Sequence, residues 1–445
     1  MTKRLPATPA PGPLEDYVVR FDDLFATLAQ RQAFRRYLEG LLLPAERNKT
    51  LTALANTEPV GGAQRKEAQG LQWFLSESSW DPQRINRRRI ELMLEDPKTA
   101  PSRGGALVID ETGDRKDGKK TAHVGKQYLG GIGKIDNGVV SVSSLWADER
   151  IYYPLEVEPY TPAHHFDEGK AAPEFRTKPK IALELVERAL EMEIPFRAVV
   201  VADILYGEHR KFKEGLENRQ IPYVLAIKPS YAWYHPIGEP GSVEEIAWIA
   251  PWKGEHDPPG EWVKLERTFR DGHTEQWWAL EAECRPFGVE KQRRLVVATT
   301  DPAELPDLST WYLVSNLPAP GTKRAQEESK LSATDIAEVV RLYSLRFTQL
   351  DRAKLQEAGK ELAGLVPIPG QEGPSHKAPL AAGVLRVHVL LVGKRWFSGG
   401  RGATWGDPQE RRECHNLHSS YGGGEGEKGR ARGRADYFSC AGRRR

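Results

Sequence analysis

The stretch that most constrains this chain is Ala106–Gly113, ALVIDETG, in which four apolar residues run directly into Asp110, a second acid, a hydroxyl and a glycine. A short unbroken apolar run closed by turn residues predicts a strand buried on both faces, as at the centre of an α/β sheet. Asp110 then stands where that strand emerges at its carboxyl end, the edge at which α/β sheets place their chemistry. The pattern recurs 93 residues later in Ala198–Gly207, AVVVADILYG, with Asp203 in the equivalent place. Either acid alone reads equally well as a cap on a following helix or turn. The pair points to a site.

A chain of 445 residues has room for two or three domains. The net charge of +2 implies no partner for the chain as a whole, but basic residues gather at Arg84–Arg89 (RINRRR) and at the C-terminus. Three cysteines, among them Cys414 and Cys440, give neither a metal spacing nor a disulfide framework, which fits a reducing interior. No apolar run reaches the roughly 18 to 20 residues of a membrane span. The N-terminal MTKRLPATPAPGP lacks the apolar segment of a secretory signal. A cytoplasmic protein, associated with the nucleoid, is expected.

In chain order, residues 1–13 are rich in Pro and Ala and read as a disordered leader. Residues 14–98 carry helical periodicity, with Phe21, Leu24, Phe25 and Leu28 on one face, and form an all-α domain. Its last helix, over 81–95, is basic. Beside a carboxylate site for phosphate chemistry, Arg84, Arg87, Arg88 and Arg89 are expected to meet DNA. The segment 104–350 reads β-β-β-α-β-α-β. The second and third strands, His123–Lys134 and Asn137–Trp146, are joined by a turn at Ile135–Asp136. An amphipathic helix, Lys178–Glu193, precedes the Asp203 strand, and Glu208–Asn218 and Pro222–Lys228 follow. The acids thus close the first and fourth strands, the order of an RNase H-like mixed sheet. A Trp-rich stretch over 230–310, strand-like at Trp262–Phe269, Glu275–Glu283 and Arg293–Thr300, reads as a β-rich insertion. Thr310–Leu317 returns to the sheet, and a helix follows at Ala337–Phe347.

Five segments in combination resemble insertion-sequence transposases of the DDE superfamily: YLEGLLLPAERNKT, VIDETGDRKDGKKTAHVGKQYLGGIGK, FRAVVVADILYGE, YVLAIKPS and WYLVSNLP. The resemblance covers roughly residues 14–350. It implies cut-and-join chemistry at the ends of a mobile element. Double-stranded DNA, as terminal inverted repeats and target, is the implied partner, with a homodimer assembled on it. Asp110 and Asp203 fall on the first two acids of the family's catalytic triad. Elementary chemistry agrees, because carboxylates held close together repel unless a cation neutralises them. Hard oxygen ligands suit Mg²⁺ or Mn²⁺, and two such ions serve an in-line phosphoryl displacement. Asp110 is expected to bridge the ions and Asp203 to hold one. Glu111 should point to the opposite face by strand alternation. Lys126, Lys211 and Lys228 could meet phosphates or be merely solvated, and Lys126 is carried as a DNA contact.

The family's third acid is a glutamate in a pattern like E-x-x-Y-K-x-x-K followed by L-G-W. The helix AEVVRLYSLRF is present, but RAKLQEAGKELAGLVPIPGQEG follows it. Codons for Arg352–Gln371 can be chosen so that the frame one base over gives EQSYKKQVKNLLGWSQYQVR, which holds the missing pattern. Residues 351–445 therefore read as an out-of-frame, poorly ordered tail, and the glutamate as lost. Asp351 is the nearest remaining acid, with Glu338, Glu357 and Glu361 further off. The expectation is a metal-dependent transposase by descent, inactive in this form. The alternatives are a non-catalytic DNA-binding remnant and another RNase H-like endonuclease.

Overall fold

The computed structural model describes residues 5–43, 50–59, 61–118, 122–192, 199–234, 240–250, 261–269, 272–286, 291–327 and 331–346. The expected tail, with Asp351, Glu357 and Glu361, lies outside them.

Strand β1 (Ala106–Arg115) is the axis of a ten-stranded mixed sheet. On one side it pairs along its whole length, antiparallel, with β3 (Lys134–Ala147). The far edge of β3 is shared by β2 (Gly125–Leu129) and β4 (Tyr152–Pro159). On its other side β1 pairs in parallel with β5 (Val199–Ala202), and β5 with β6 (Tyr223–Ala226). Beyond them β12 (Thr310–Ser315), β11 (Arg293–Thr299), β10 (Thr274–Cys284) and β9 (Val263–Thr268) continue antiparallel. The Trp-rich insertion is thus woven into the main sheet. A separate two-stranded ribbon forms from β7 (Ala232–Tyr234) and β8 (Pro240–Ser242). This is the α/β, RNase H-like mixed sheet that the element order implied.

Two details correct the sequence reading. Strand β4 was not foreseen, so Asp203 follows the fifth strand rather than the fourth. Pro154 and Pro159 obscure β4, yet proline is tolerated there because β4 is an edge strand, paired only with β3. The turn between β2 and β3 lies at Gly130–Ile132 and Gly133, where φ is 65°, and not at Ile135–Asp136. Glycine adopts that left-handed backbone without strain, so GGIG was the stronger turn signal.

Each face of the sheet has its own cover. Thr177 caps α6 (Lys178–Glu191), whose Ile181, Leu185 and Val186 pack against Leu107, Ile109 and Val200. Helix α8 (Arg210–Asn218) adds Phe212 and Leu216 to the same core. The opposite face, with Ala106, Val108, Val201 and Val224, is covered by Val339, Val340 and Tyr343 of α11 (Ile336–Ser344), which is capped by Asp335 and follows the short helices α9 (Val243–Ile249) and α10 (Lys323–Glu327) in the chain.

The N-terminal helices α1 (Pro13–Val18), α2 (Leu28–Leu42), α3 (Leu51–Leu54), α4 (Lys66–Ser76) and α5 (Pro82–Glu95) enclose a core of Phe21, Phe25, Phe34, Phe74 and Trp80. Helix α5 serves both cores, since Ile85 faces the helices while Ile90 and Met93 join the sheet. Its Arg89 corrects a further expectation. That side chain is wholly buried and donates to the carbonyls of Pro154 (2.8 Å) and Leu155 (3.0 Å) of β4, so it faces the interior and not DNA. Among the described residues no helix is long and apolar enough to cross a membrane.

Candidate active site

The parallel register of β1 and β5 places the two acids. Ile109 pairs with Ala202 in the last rung, so the next residue on each strand, Asp110 and Asp203, leaves the sheet at the same level. Strands run about 4.8 Å apart, which brings both carboxylates to one spot. The buried runs before them, ending in Ile109 and Ala202 at 0% exposure, hold the strand ends rigid.

Asp203 does what a strand-end acid commonly does: its Oδ1 accepts from the Leu205 amide (3.0 Å) and caps the short helix α7 (Ile204–Gly207). Its other oxygen is turned to the site. There a single nitrogen, Arg346 Nη2, lies 3.1 Å from Asp110 Oδ1 and 3.6 Å from Asp203 Oδ2. The two carboxylate oxygens are therefore no further apart than the sum of those distances, within reach of a pair of ions about 3.5–4 Å apart. Burial raises the Asp203 pKa above the usual carboxylate value. Arg346 opposes the rise, while the neighbouring charge of Asp110 adds to it. Two acids straining against each other around one cation form a hard-oxygen donor pair that suits Mg²⁺ or Mn²⁺.

Arg346 was not anticipated from the sequence. It follows α11 and owes its position to that helix. Arg341, one turn earlier, donates to the Gly104 carbonyl (2.6 Å) and pairs with Glu149 (3.0 Å), fastening α11 to the start of β1. The same Arg341 occupies Glu338 (2.5 Å), so that acid is not turned to the pair. Among the described residues no group of three metal-ligating side chains occurs.

Glu111 points to the opposite face, as alternation requires. It accepts from Lys178 Nζ (2.6 Å) and the Tyr206 hydroxyl (3.2 Å), and burial raises its pKa. Of the basic residues expected at DNA, Arg84 and Arg87 are exposed on α5. Arg88 is held by Asp23 (2.9 Å) and Glu91 (3.3 Å). Lys126 is exposed on β2 and Lys211 on α8, while Lys228 pairs with Glu208 (2.9 Å).

Known proteins are similar to this chain over most of the described residues. The family model of the DDE superfamily endonucleases matches residues 20–279. The chain is also similar to the probable transposase for insertion sequence element IS701 of Microchaete diplosiphon. The two are 32% identical over 319 residues, which cover 72% of this chain and 76% of that one.

Proposed function

The chain belongs to the DDE superfamily of endonucleases, and we propose that it is a transposase acting on the ends of an insertion sequence. The observation that carries this reading is the convergence of Asp110 and Asp203, from adjacent parallel strands, on one cationic nitrogen. In that role the two carboxylates would hold divalent ions, Mg²⁺ or Mn²⁺, two of them. Bound there, such ions would supply Lewis-acid activation of a phosphodiester and of the attacking hydroxyl. The chain's own part is placement. The rigid ends of β1 and β5 fix the oxygens, Asp203 is oriented by the Leu205 amide, and Arg346 stabilises the paired negative charge until another cation, or a phosphate, competes for it. Arg84 and Arg87 on α5, with Lys126 on β2, would meet the DNA backbone, and a homodimer on DNA would bring two element ends together.

A second reading rests on a specific observation: with no third ligand beside the pair among the described residues, the chain as written would be a DNA-binding remnant. One experiment separates the two. The full chain and its Asp110→Asn variant are incubated with Mn²⁺ and a duplex carrying the DNA that flanks the reading frame, and nicking and binding are both followed. Nicking by the chain that Asp110→Asn abolishes supports the enzyme. Binding with no nicking by either supports the remnant. In that case a one-base edit near codons 347–352, restoring the frame, should bring nicking back; its failure to do so would count against the lost-glutamate reading.

A further inference from the structure

We infer that the β2–β3 hairpin is a second DNA-contacting element, in which an exposed apolar pair, Tyr128 and Ile135, packs against duplex DNA some distance from the cut. The inference rests on the reading of the chain as an enzyme that acts on DNA.

Residues paired across strands share a face, and so do alternate residues along one strand. Asp110 pairs with Ser143 of β3. Stepping back by twos along β3, the same face carries Ser141, Val139, Asn137 and Ile135. Asn137 pairs with Lys126 and Ile135 with Tyr128 of β2. The exposed side of the hairpin is therefore the side of the sheet on which Asp110 sits. The alternation on β2 is clean: Gln127 and Leu129 are buried, while Lys126 and Tyr128 face out.

What that face displays is unusual for a solvated surface. Tyr128 is 60% exposed and Ile135 70% exposed, directly opposite one another, and Ile132 in the turn is 44% exposed. Between this cluster and Asp110 the face carries Val139, Ser141 and Ser143 of β3, all buried. The exposed apolar surface is thus confined to the tip of the hairpin. Over Asp114–Asp136 six lysines and arginines stand against three acids; Arg115, Lys116 and Lys134 pair with those acids, while Lys126 shares the exposed face of Tyr128. Lys126 makes no ion pair with a described residue. An aromatic and an aliphatic side chain flanked by lysine suit a nucleic-acid groove, where apolar groups pack on sugars and bases while cations meet phosphates.

The span gives the contact an address. Ile135 lies eight residues from Ser143 along β3, roughly 27 Å at the rise of an extended strand. At about 3.4 Å per base pair, the hairpin tip would meet the duplex about eight base pairs from the phosphodiester at the carboxylates.

The test uses the full chain with a photo-crosslinking phenylalanine analogue in place of Tyr128, and a duplex several turns long carrying the flanking DNA. A protein–DNA adduct is expected from position 128. None is expected from the same analogue at Leu190, which is exposed on α6 across the sheet. Tyr128→Ala combined with Ile135→Ala should weaken binding about tenfold with the salt slope unchanged, whereas Lys126→Ala should flatten that slope by about 0.9. An adduct between two copies of the chain would show a protein contact instead and overturn the proposal. So would unchanged affinity in the double variant. If Arg84→Ala with Arg87→Ala weakens DNA binding while position 128 gives no adduct, the hairpin proposal fails and the DNA reading stands. If the chain binds no duplex at all, both fail.

Discussion

The two faces of the central sheet are built to different standards. Under α6 and α8 lies a deep apolar core in which Leu107, Ile109, Trp146, Leu185 and Val186 are all at 0% exposure. Helix α5 reaches into that core too, pinned by Arg89. On the other face α11 is the principal helical cover, and from its end Arg346 swings over Asp110 and Asp203. The larger apolar cluster lies on one side and the two carboxylates on the other. The site lies on the face whose helical cover ends at Ser344, two residues before Arg346. A lesion there can disarm the site while leaving the deeper core intact.

Of the substitutions that separate the two faces, the largest effect is expected at Arg89. Arg89→Ala leaves the Pro154 carbonyl without its partner and opens a cavity between α5 and β4. It should cost about 3–4 kcal/mol in urea unfolding. A loss under about 1 kcal/mol would mean that α5 is not anchored there. Next comes a matched pair of truncations, each at a valine with 0% exposure: Val186→Ala on α6 and Val339→Ala on α11. The first should cost about 2–3 kcal/mol and the second about 1–1.5, because the smaller cluster under α11 has fewer neighbours to hold a cavity open. Equal costs would erase the asymmetry.

Smaller effects should come from two acids with opposite signs. Burial raises the pKa of Asp148, but the Ile151 and Arg150 amides, with Ser102 and the Arg150 guanidinium, outweigh it and leave the pKa below its ordinary value. Asp148 therefore contributes stability that is present above the unfolded-state pKa and lost as pH falls through the folded one. Asp148→Asn should flatten the acid limb of an unfolding-midpoint profile. Asp203 has the reverse linkage. With its folded pKa raised, it costs stability above that pKa, and protonation removes the cost as pH falls through it. Asp203→Asn should give a small rise in the metal-free thermal midpoint at neutral pH. A fall would show that the cap on α7 matters more than the repulsion.

Much of this was legible in the residues. The runs LVI and VVVA declared buried strands, and an acid after each declared the strand end, because burial on both faces leaves no other role for such runs. Glu111 could be set aside by alternation alone. Arg89 was legible but misread. It sits four residues after Ile85 and four before Met93, on the buried stripe of its helix, and local sequence charge concealed that periodicity. Arg346 was not legible. Its meaning comes from contacts with Asp110 and Asp203, 236 and 143 positions away in the chain, and no local pattern encodes such a meeting. Strand β4 was hidden by prolines that only an edge position makes acceptable.

The continuous register of β3 against both β1 and β2 has a consequence for how the protein can vary. A β-strand counts in twos, so one residue added to β3 between Ser143 and Ile135 would turn Lys126 and Tyr128 away from the side of the carboxylates, while two would keep the side and move the tip outward by roughly 7 Å. The hairpin is a ruler graduated in pairs. Functional versions of this sheet should therefore differ in reach by about two base pairs at a time, and odd lengths should survive only with a bulge to restore the parity.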